Sequence, residues 1–326
     1  MADLEKGQFL VSPTQQSIAR DDVTSSVKST PIGGKNGIPL YHYHDLPLFL
    51  RGNPYITSGY RAYLPTDMCI KSMFMKTNET VNIWTHLCGF VFFSFLLVVD
   101  VFSYLPENSA SVLDYGIFII MDVCFQVCMM CSAGYHIFHC QSELASKRWL
   151  GLDLAGVSVG FCGILFPGAY YAFYCNQHLQ TFYLLLLVMC LTISAVLQMH
   201  SAFLSAQWQM RRLLLYSISV FLGLVPVLHW VVLQGGVYGT VVMLFMPYIT
   251  TIFLLIVIGG VFYATKFPER QFPGRFNFIG SSHQWWHVFV VLSFSATHHF
   301  ATFGFNYLQK YGCIDHIISE HVRVAR

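Results

Sequence analysis

Charged residues are scarce in this chain. Asp, Glu, Lys and Arg make up only 10% of its 326 residues, 55% are hydrophobic, and the mean hydropathy is +0.54. A soluble domain needs roughly 25% charged residues to cover its surface, so the composition indicates a membrane protein. The net charge of +2 is too small to suggest nucleic-acid binding. The first 80 residues also lack an apolar stretch like a signal-peptide core, so we expect an amino terminus that is neither cleaved nor translocated.

Cysteine is present but gives little sign of a disulfide framework. Ten cysteines occur, and nearly all lie inside long apolar runs, where we expect free thiols that pack as small side chains. Cys175 and Cys313 lie outside those runs. They are the plausible luminal disulfide pair.

Seven apolar runs are long enough to cross a bilayer as helices. They cover about 82–104, 116–138, 153–174, 180–203, 212–233, 240–264 and 284–308. Lys and Arg occur in the amino-terminal segment and in the second, fourth and sixth loops, and they are missing from the other three loops. By the positive-inside rule, this predicts an all-α membrane protein with seven transmembrane helices, a cytosolic amino terminus and a luminal or extracellular carboxy terminus. No internal repeat is evident, which argues against an inverted-repeat transporter.

The composition divides the chain into four parts. Residues 1–36 are polar and predict a disordered cytosolic tail. Residues 37–80 predict a cytosolic juxtamembrane segment in which TDMCIKSMFMK forms a helix on the membrane surface, with an ordinary ordered linker as the alternative. Residues 81–308 hold the seven-helix domain, and 309–326 form a short luminal tail.

Five polar residues lie at the cytosolic ends of these spans: Ser132, His136, Asp153, His283 and His287. Ionisable side chains are costly in a membrane and usually mark a functional site. Residues four apart on a helix face the same way, so Ser132 projects with His136, and His283 projects with His287. The topology places all five at one depth.

Three imidazoles with a fourth position open to water match a catalytic-type zinc site. In that reading His136, His283 and His287 bind Zn²⁺, Asp153 acts as proton acceptor, and Ser132 orients a ligand or a substrate oxygen. The alternative is a set of interhelical hydrogen bonds without metal. Of the other histidines, His86 and His200 are assigned to packing or hydrogen bonding. His229, His298 and His299 fall in the outer halves of their spans, too far from the five residues to join them. His139, three residues after His136, is the strongest competitor as a ligand.

The chain also resembles a known family, the progestin and adipoQ receptors. The motifs that carry the resemblance run from about residue 52 to 307 and are ETVNIWTHL, CSAGYH, LDLAG, YYAFYC, PERQFPG and SHQWWH. The resemblance implies a seven-helix fold with zinc held at His136, His283 and His287, and with Asp153 and a water completing the site.

Within that family, GNPYITSGYRAYLP, MCIKS, CFQVCMMCS and GSSHQWWH are most similar to a Golgi-resident member that traps Raf kinase. This implies a Golgi membrane protein whose cytosolic amino-terminal region tethers Raf kinase and damps the cascade to ERK. The adiponectin-receptor relatives imply an alternative, zinc-dependent cleavage of an amide lipid such as ceramide. A hormone receptor is a third reading, which the short predicted outer loops disfavour.

Overall fold

A computed structural model describes residues 37–204 and 208–313 of the chain. Within these residues, seven helices are long and apolar enough to cross a membrane, as predicted. They are α2 (Thr80–Glu107), α3 (Val112–Phe138), α4 (Glu143–Ala172), α5 (Gln177–Met199), α6 (Gln209–Leu233), α7 (Thr240–Thr265) and α8 (Ser282–Tyr311). The predicted disordered tail and most of the predicted luminal tail lie outside the described residues.

Helix α4 begins at Glu143, ten residues before the apolar run that predicted it. The Ser142 hydroxyl caps its first turn by accepting a hydrogen bond from the amide of Ala145, and Lys147 pairs with Glu143 four residues earlier. The sequence prediction marked only the part of the helix that is apolar enough for lipid. Capping and ion pairing extend the helix into the polar region, so Asp153 lies in its third turn rather than at its start.

The bundle core is formed by α3 and α4, which pack closely together and against α8. At Gly160 of α4, an added Cβ would lie 3.1 Å from Cys128 Sγ of α3 and 2.8 Å from Phe294 of α8. A larger residue would force these three helices apart. The rings of Phe125 and Phe294 stack in the same region with centroids 4.1 Å apart.

The segment before the first span folds into a cap on one end of the bundle. The cap comprises residues 38–75 and contains strands β1 (Tyr41–His42) and β2 (Ser58–Tyr60), which pair antiparallel, and helix α1 (Thr66–Ser72). Its anchor is Arg61, which is only 2% exposed. The Arg61 guanidinium donates hydrogen bonds to the carbonyl of His136 at 2.6 Å and to the Ser72 hydroxyl at 2.5 Å.

Helix α1 forms where the surface helix was expected, but it ends at Ser72 and is shorter than the predicted stretch. Ile70, Lys71 and Phe74 are exposed, whereas Cys69 is fully buried with its sulfur 3.6 Å from that of Cys140. The thiol contact joins α1 to the end of α3. This helix is therefore part of the cap as well as a surface element.

The predicted disulfide between Cys175 and Cys313 is confirmed. It joins the α4–α5 connection to the second residue after α8, at the end of the bundle opposite the cap. The other eight cysteines carry free thiols, also as predicted.

Candidate metal centre

Three imidazoles meet at the cap end of the bundle. His136 comes from the last turn of α3, and His283 and His287 come from the first two turns of α8. One candidate ligand nitrogen from each ring lies within 4.8 Å of the others, and the Nε2 atoms of His136 and His283 are 3.2 Å apart. Their sequence spacing puts His283 and His287 on one helical face, so the convergence follows from the predicted topology.

The other ring nitrogens hold the imidazoles in orientation. The Glu79 carboxylate accepts a hydrogen bond from Nδ1 of His136 at 2.7 Å, and the carbonyl of Asn82 accepts one from Nδ1 of His287 at 3.1 Å. Both acceptors fix the proton on Nδ1, so the lone pair of each ring lies on Nε2. Histidines that bind metal usually donate their second nitrogen in this way.

The donor set fits a zinc ion. Zinc binds imidazole nitrogen at about 2.0–2.1 Å with tetrahedral geometry, which places two ligand nitrogens about 3.3 Å apart. The observed 3.2 Å between His136 and His283 agrees with that spacing. Three neutral imidazoles with no thiolate leave the fourth position of a tetrahedral ion open.

Asp153 and Ser132 lie beside the histidines but outside the ligand triad. Ser132 and Asp153 line the same cavity as the three histidines. Asp153 is absent from the set of ligand atoms that lie within 4.8 Å of one another. Its position therefore suits a group that acts through a water, rather than a direct ligand.

The remaining histidines occupy other positions. His86 stacks on His287 with ring centroids 3.7 Å apart, which makes it a packing residue. His139 lies 3.7 Å from Glu79 and does not join the triad, and burial lowers its pKa to about 4, so it is neutral at physiological pH. His229 pairs with the Tyr183 hydroxyl, and His298 pairs with Asp100.

Glu79 is the functional residue that sequence reasoning missed. It is the first residue of the motif ETVNIWTHL, but no individual role was predicted for it. Burial alone would raise the pKa of its carboxyl, but the contacts with His136, His139 and Asn82 outweigh burial and hold the pKa below its usual value. Glu79, Asn82 and His86 share one face of α2 at spacings of three and four residues, and this pattern could have identified them.

A large cavity connects the three histidines with the interior of the bundle. Its volume is about 1590 Å³, and the three histidines, Ser132 and Asp153 all line it. Beyond the centre its walls are apolar side chains of α6 and α7, among them Val220, Leu224, Phe253, Ile256 and Val257. The polar groups of the candidate centre therefore share one cavity with these apolar side chains.

Comparison with known proteins gives a consistent result. A profile of the Haemolysin-III-related family matches residues 74–299. Progestin and adipoQ receptor family member 3 is 44% identical in Mus musculus and 43% identical in Homo sapiens, in each case over 88% of this chain and 93% of the relative. The adiponectin receptor protein of Drosophila melanogaster is 29% identical over 79% of this chain and 58% of that protein.

The family match covers six of the seven membrane helices completely and continues well into α8, past His287. The fold, the histidine triad and these relatives agree with the sequence resemblance. The chain is a seven-helix membrane protein that belongs to the Haemolysin-III-related, progestin and adipoQ receptor family.

Proposed function

We propose that this protein is a Golgi membrane tether that binds Zn²⁺ at His136, His283 and His287 and captures Raf kinase through its cytosolic cap. The motif resemblance to the Raf-trapping member of the family and the 44% identity to member 3 support the proposal. The zinc ion ties α3 to α8 beneath the cap.

The observation that carries the tether proposal is the folded cap itself. A protein partner needs a surface of fixed shape, and Arg61 and the Cys69–Cys140 contact hold the cap to the bundle. Large apolar side chains nevertheless remain exposed on it: Leu48 is 82% exposed and Phe74 is 74% exposed. Exposed apolar groups beside basic residues such as Lys71 suit a protein or membrane contact.

A substitution at the cap surface tests the tether. Leu48→Asp places a charge on an exposed side chain without removing a described buried contact, so the fold should persist while Raf capture falls. The matched control is Val112→Asp, at an 87% exposed position at the opposite end of the bundle. The assay measures the share of Raf kinase that co-localises with a Golgi marker. Equal capture by both variants would contradict the assignment of the cap.

A second function, zinc-dependent amide hydrolysis of a lipid, is favoured by the cavity. Its apolar length suits acyl chains, while the polar groups of a ceramide-like substrate would lie against Ser132, Asp153 and the histidines. Bound zinc would polarise the amide carbonyl and activate water. Asp153 would accept the proton of the attacking water and return it to the amine nitrogen as the C–N bond breaks, so that the products are a carboxylic acid and an amine. The Ser132 hydroxyl would hold the carboxylate in position.

One variant separates the two functions. Asp153→Asn keeps the shape of the side chain but removes the proton acceptor, which should reduce ceramide cleavage by about 10²–10⁴-fold. Raf capture should remain, because Asp153 makes no described contact with the cap. Deleting residues 37–76 is a poorer test, since it also removes Arg61 from the carbonyl of a zinc ligand. Loss of capture by a folded, zinc-loaded Asp153→Asn protein would contradict a pure tether.

A further inference from the structure

A second cluster of ionisable groups lies deep in the bundle. Asp100 comes from α2, Asp122 from α3 and His298 from α8, and one ligand atom from each lies within 4.8 Å of the others. The imidazole Nε2 of His298 is 2.7 Å from a carboxylate oxygen of Asp100. Asp100 is 3% exposed and Asp122 is fully buried.

This cluster is separate from the histidine triad. His298 follows His287 by eleven residues on the same helix, which corresponds to about 16 Å at 1.5 Å per residue. Asp122 precedes His136 by fourteen residues, or about 21 Å along α3. The second cluster therefore lies in the half of the bundle away from the cap, beyond the reach of an ion in the first site.

Asp122 lacks the partners that a buried carboxylate requires. Neither of its oxygens has a hydrogen-bond partner within the described residues, although both are inaccessible to solvent. Among the described residues, neither Asp100 nor Asp122 forms an ion pair with Lys or Arg, and His298 is the one ion-pair partner of Asp100. A buried charge without compensation is too costly to persist, so the site needs a bound cation or a proton.

The backbone is unusual at the same place. Asp100 opens a π-helical turn, Asp100–Tyr104, within α2. Such turns are rare and frequently lie at functional sites. The turn interrupts the regular helix at the residue that supplies one carboxylate to the cluster.

The chemistry of the three donors selects the cation. Mg²⁺ and Ca²⁺ prefer ligand sets made only of oxygen, whereas imidazole together with carboxylates suits divalent first-row transition metals, including zinc. We propose that Asp100, Asp122 and His298 form a second metal site, which takes a divalent transition metal ion such as Zn²⁺. Two carboxylates neutralise its charge, and the ion joins α2, α3 and α8 in the half of the bundle where the histidine triad makes no contact. On binding of the ion, the distance between His298 Nε2 and Asp100 Oδ2 would increase from 2.7 Å by several tenths of an ångström. That is the separation expected of two ligand atoms on one ion.

Metal stoichiometry tests this proposal. The purified full-length protein is stripped with a chelator, reloaded with zinc, dialysed and measured by elemental analysis. We expect two ions per chain for the unaltered protein, one for Asp122→Asn and one for His136→Ala. His299→Ala is the matched control, because His299 is adjacent in sequence but packs on Tyr248, and it should keep both ions.

Cobalt substitution assigns each ion to its site. Co²⁺ should give two sets of visible absorption bands, of which Asp122→Asn and His298→Gln each remove the same one while leaving the other intact. Equal metal content in the unaltered protein and in folded Asp122→Asn would overturn the proposal. An infrared band of a protonated carboxyl that disappears in Asp122→Asn without any change in metal content would also overturn it, by showing a shared proton in place of the ion.

Discussion

Replacing Glu79 should weaken zinc binding without removing any ligand. Its carboxylate lies 2.7 Å from Nδ1 of His136 and fixes the tautomer that leaves Nε2 free to bind metal. The negative charge of Glu79 raises the basicity of the His136 imidazole. Glu79→Gln keeps a hydrogen-bond acceptor at this position but removes that charge. Glu79→Ala removes both the acceptor and the charge.

The size of the effect follows from known partners of metal-bound histidines. Losing such a partner typically costs 10–100-fold in metal affinity, or about 1.4–2.7 kcal/mol. We expect Glu79→Gln near the lower end of this range, because the amide oxygen can still accept the hydrogen bond. Glu79→Ala should lie near the upper end, since His136 then has no partner for Nδ1 and is free to rotate.

The measurement is competition for zinc between the protein and a chromophoric chelator. Each variant is compared in an Asp122→Asn background, so that only the histidine triad is titrated. Glu143→Gln is the control, because Glu143 is an exposed glutamate that pairs with Lys147 rather than with a histidine of the triad. An unchanged zinc affinity in both Glu79 variants would refute the assigned role of this carboxylate.

Three further predictions follow from the triad, the cap and the topology. His287→Ala should lose most of the zinc bound at the triad, because two ligands rarely hold zinc against water, whereas His229→Ala should keep it; elemental analysis in the Asp122→Asn background distinguishes them. Arg61→Lys should weaken the docking of the cap on the bundle by about 1.5–3 kcal/mol, which is the contribution of one charged hydrogen bond. The reason is that lysine lacks the forked guanidinium that reaches both Ser72 and the His136 carbonyl. Faster hydrogen exchange in residues 38–72 would report that change, and unaltered exchange would count against it. A tag at residue 2 should be digested by protease added to sealed Golgi vesicles with the cytosolic face outward, and a tag after residue 326 should be protected; tags on the same side would contradict the predicted orientation.

Much of the bundle and its triad could be predicted from sequence because two strong signals coincide. Apolar runs of the right length define spans, and the i,i+4 spacing of His283 and His287 defines a face. The predicted start of α4 was wrong by ten residues, since hydropathy does not detect the polar first turns of a helix that begins at Glu143, after the Ser142 cap. Glu79 was missed because its role depends on a contact with another helix.

The second cluster was less accessible to sequence reasoning. Asp100, Asp122 and His298 are isolated polar residues on three different helices, and none has a ligand-type partner four residues away. The sequence predicted only that His298 lies too far from the triad to join it, and the structure confirms this. Convergence of single residues depends on helix rotation and depth, which one sequence does not define.

The contact between Arg61 and the His136 carbonyl has a thermodynamic consequence. The guanidinium belongs to the cap, and the carbonyl belongs to His136, a proposed zinc ligand, so the free energy of cap docking depends on the arrangement of the last turn of α3. Linkage is reciprocal: the factor by which bound zinc raises the equilibrium constant for cap docking equals the factor by which a docked cap raises the affinity for zinc. A partner that pulls the cap away from the bundle would therefore promote zinc release. Conversely, a change in the concentration of free zinc would change the free energy with which the cap docks on the bundle.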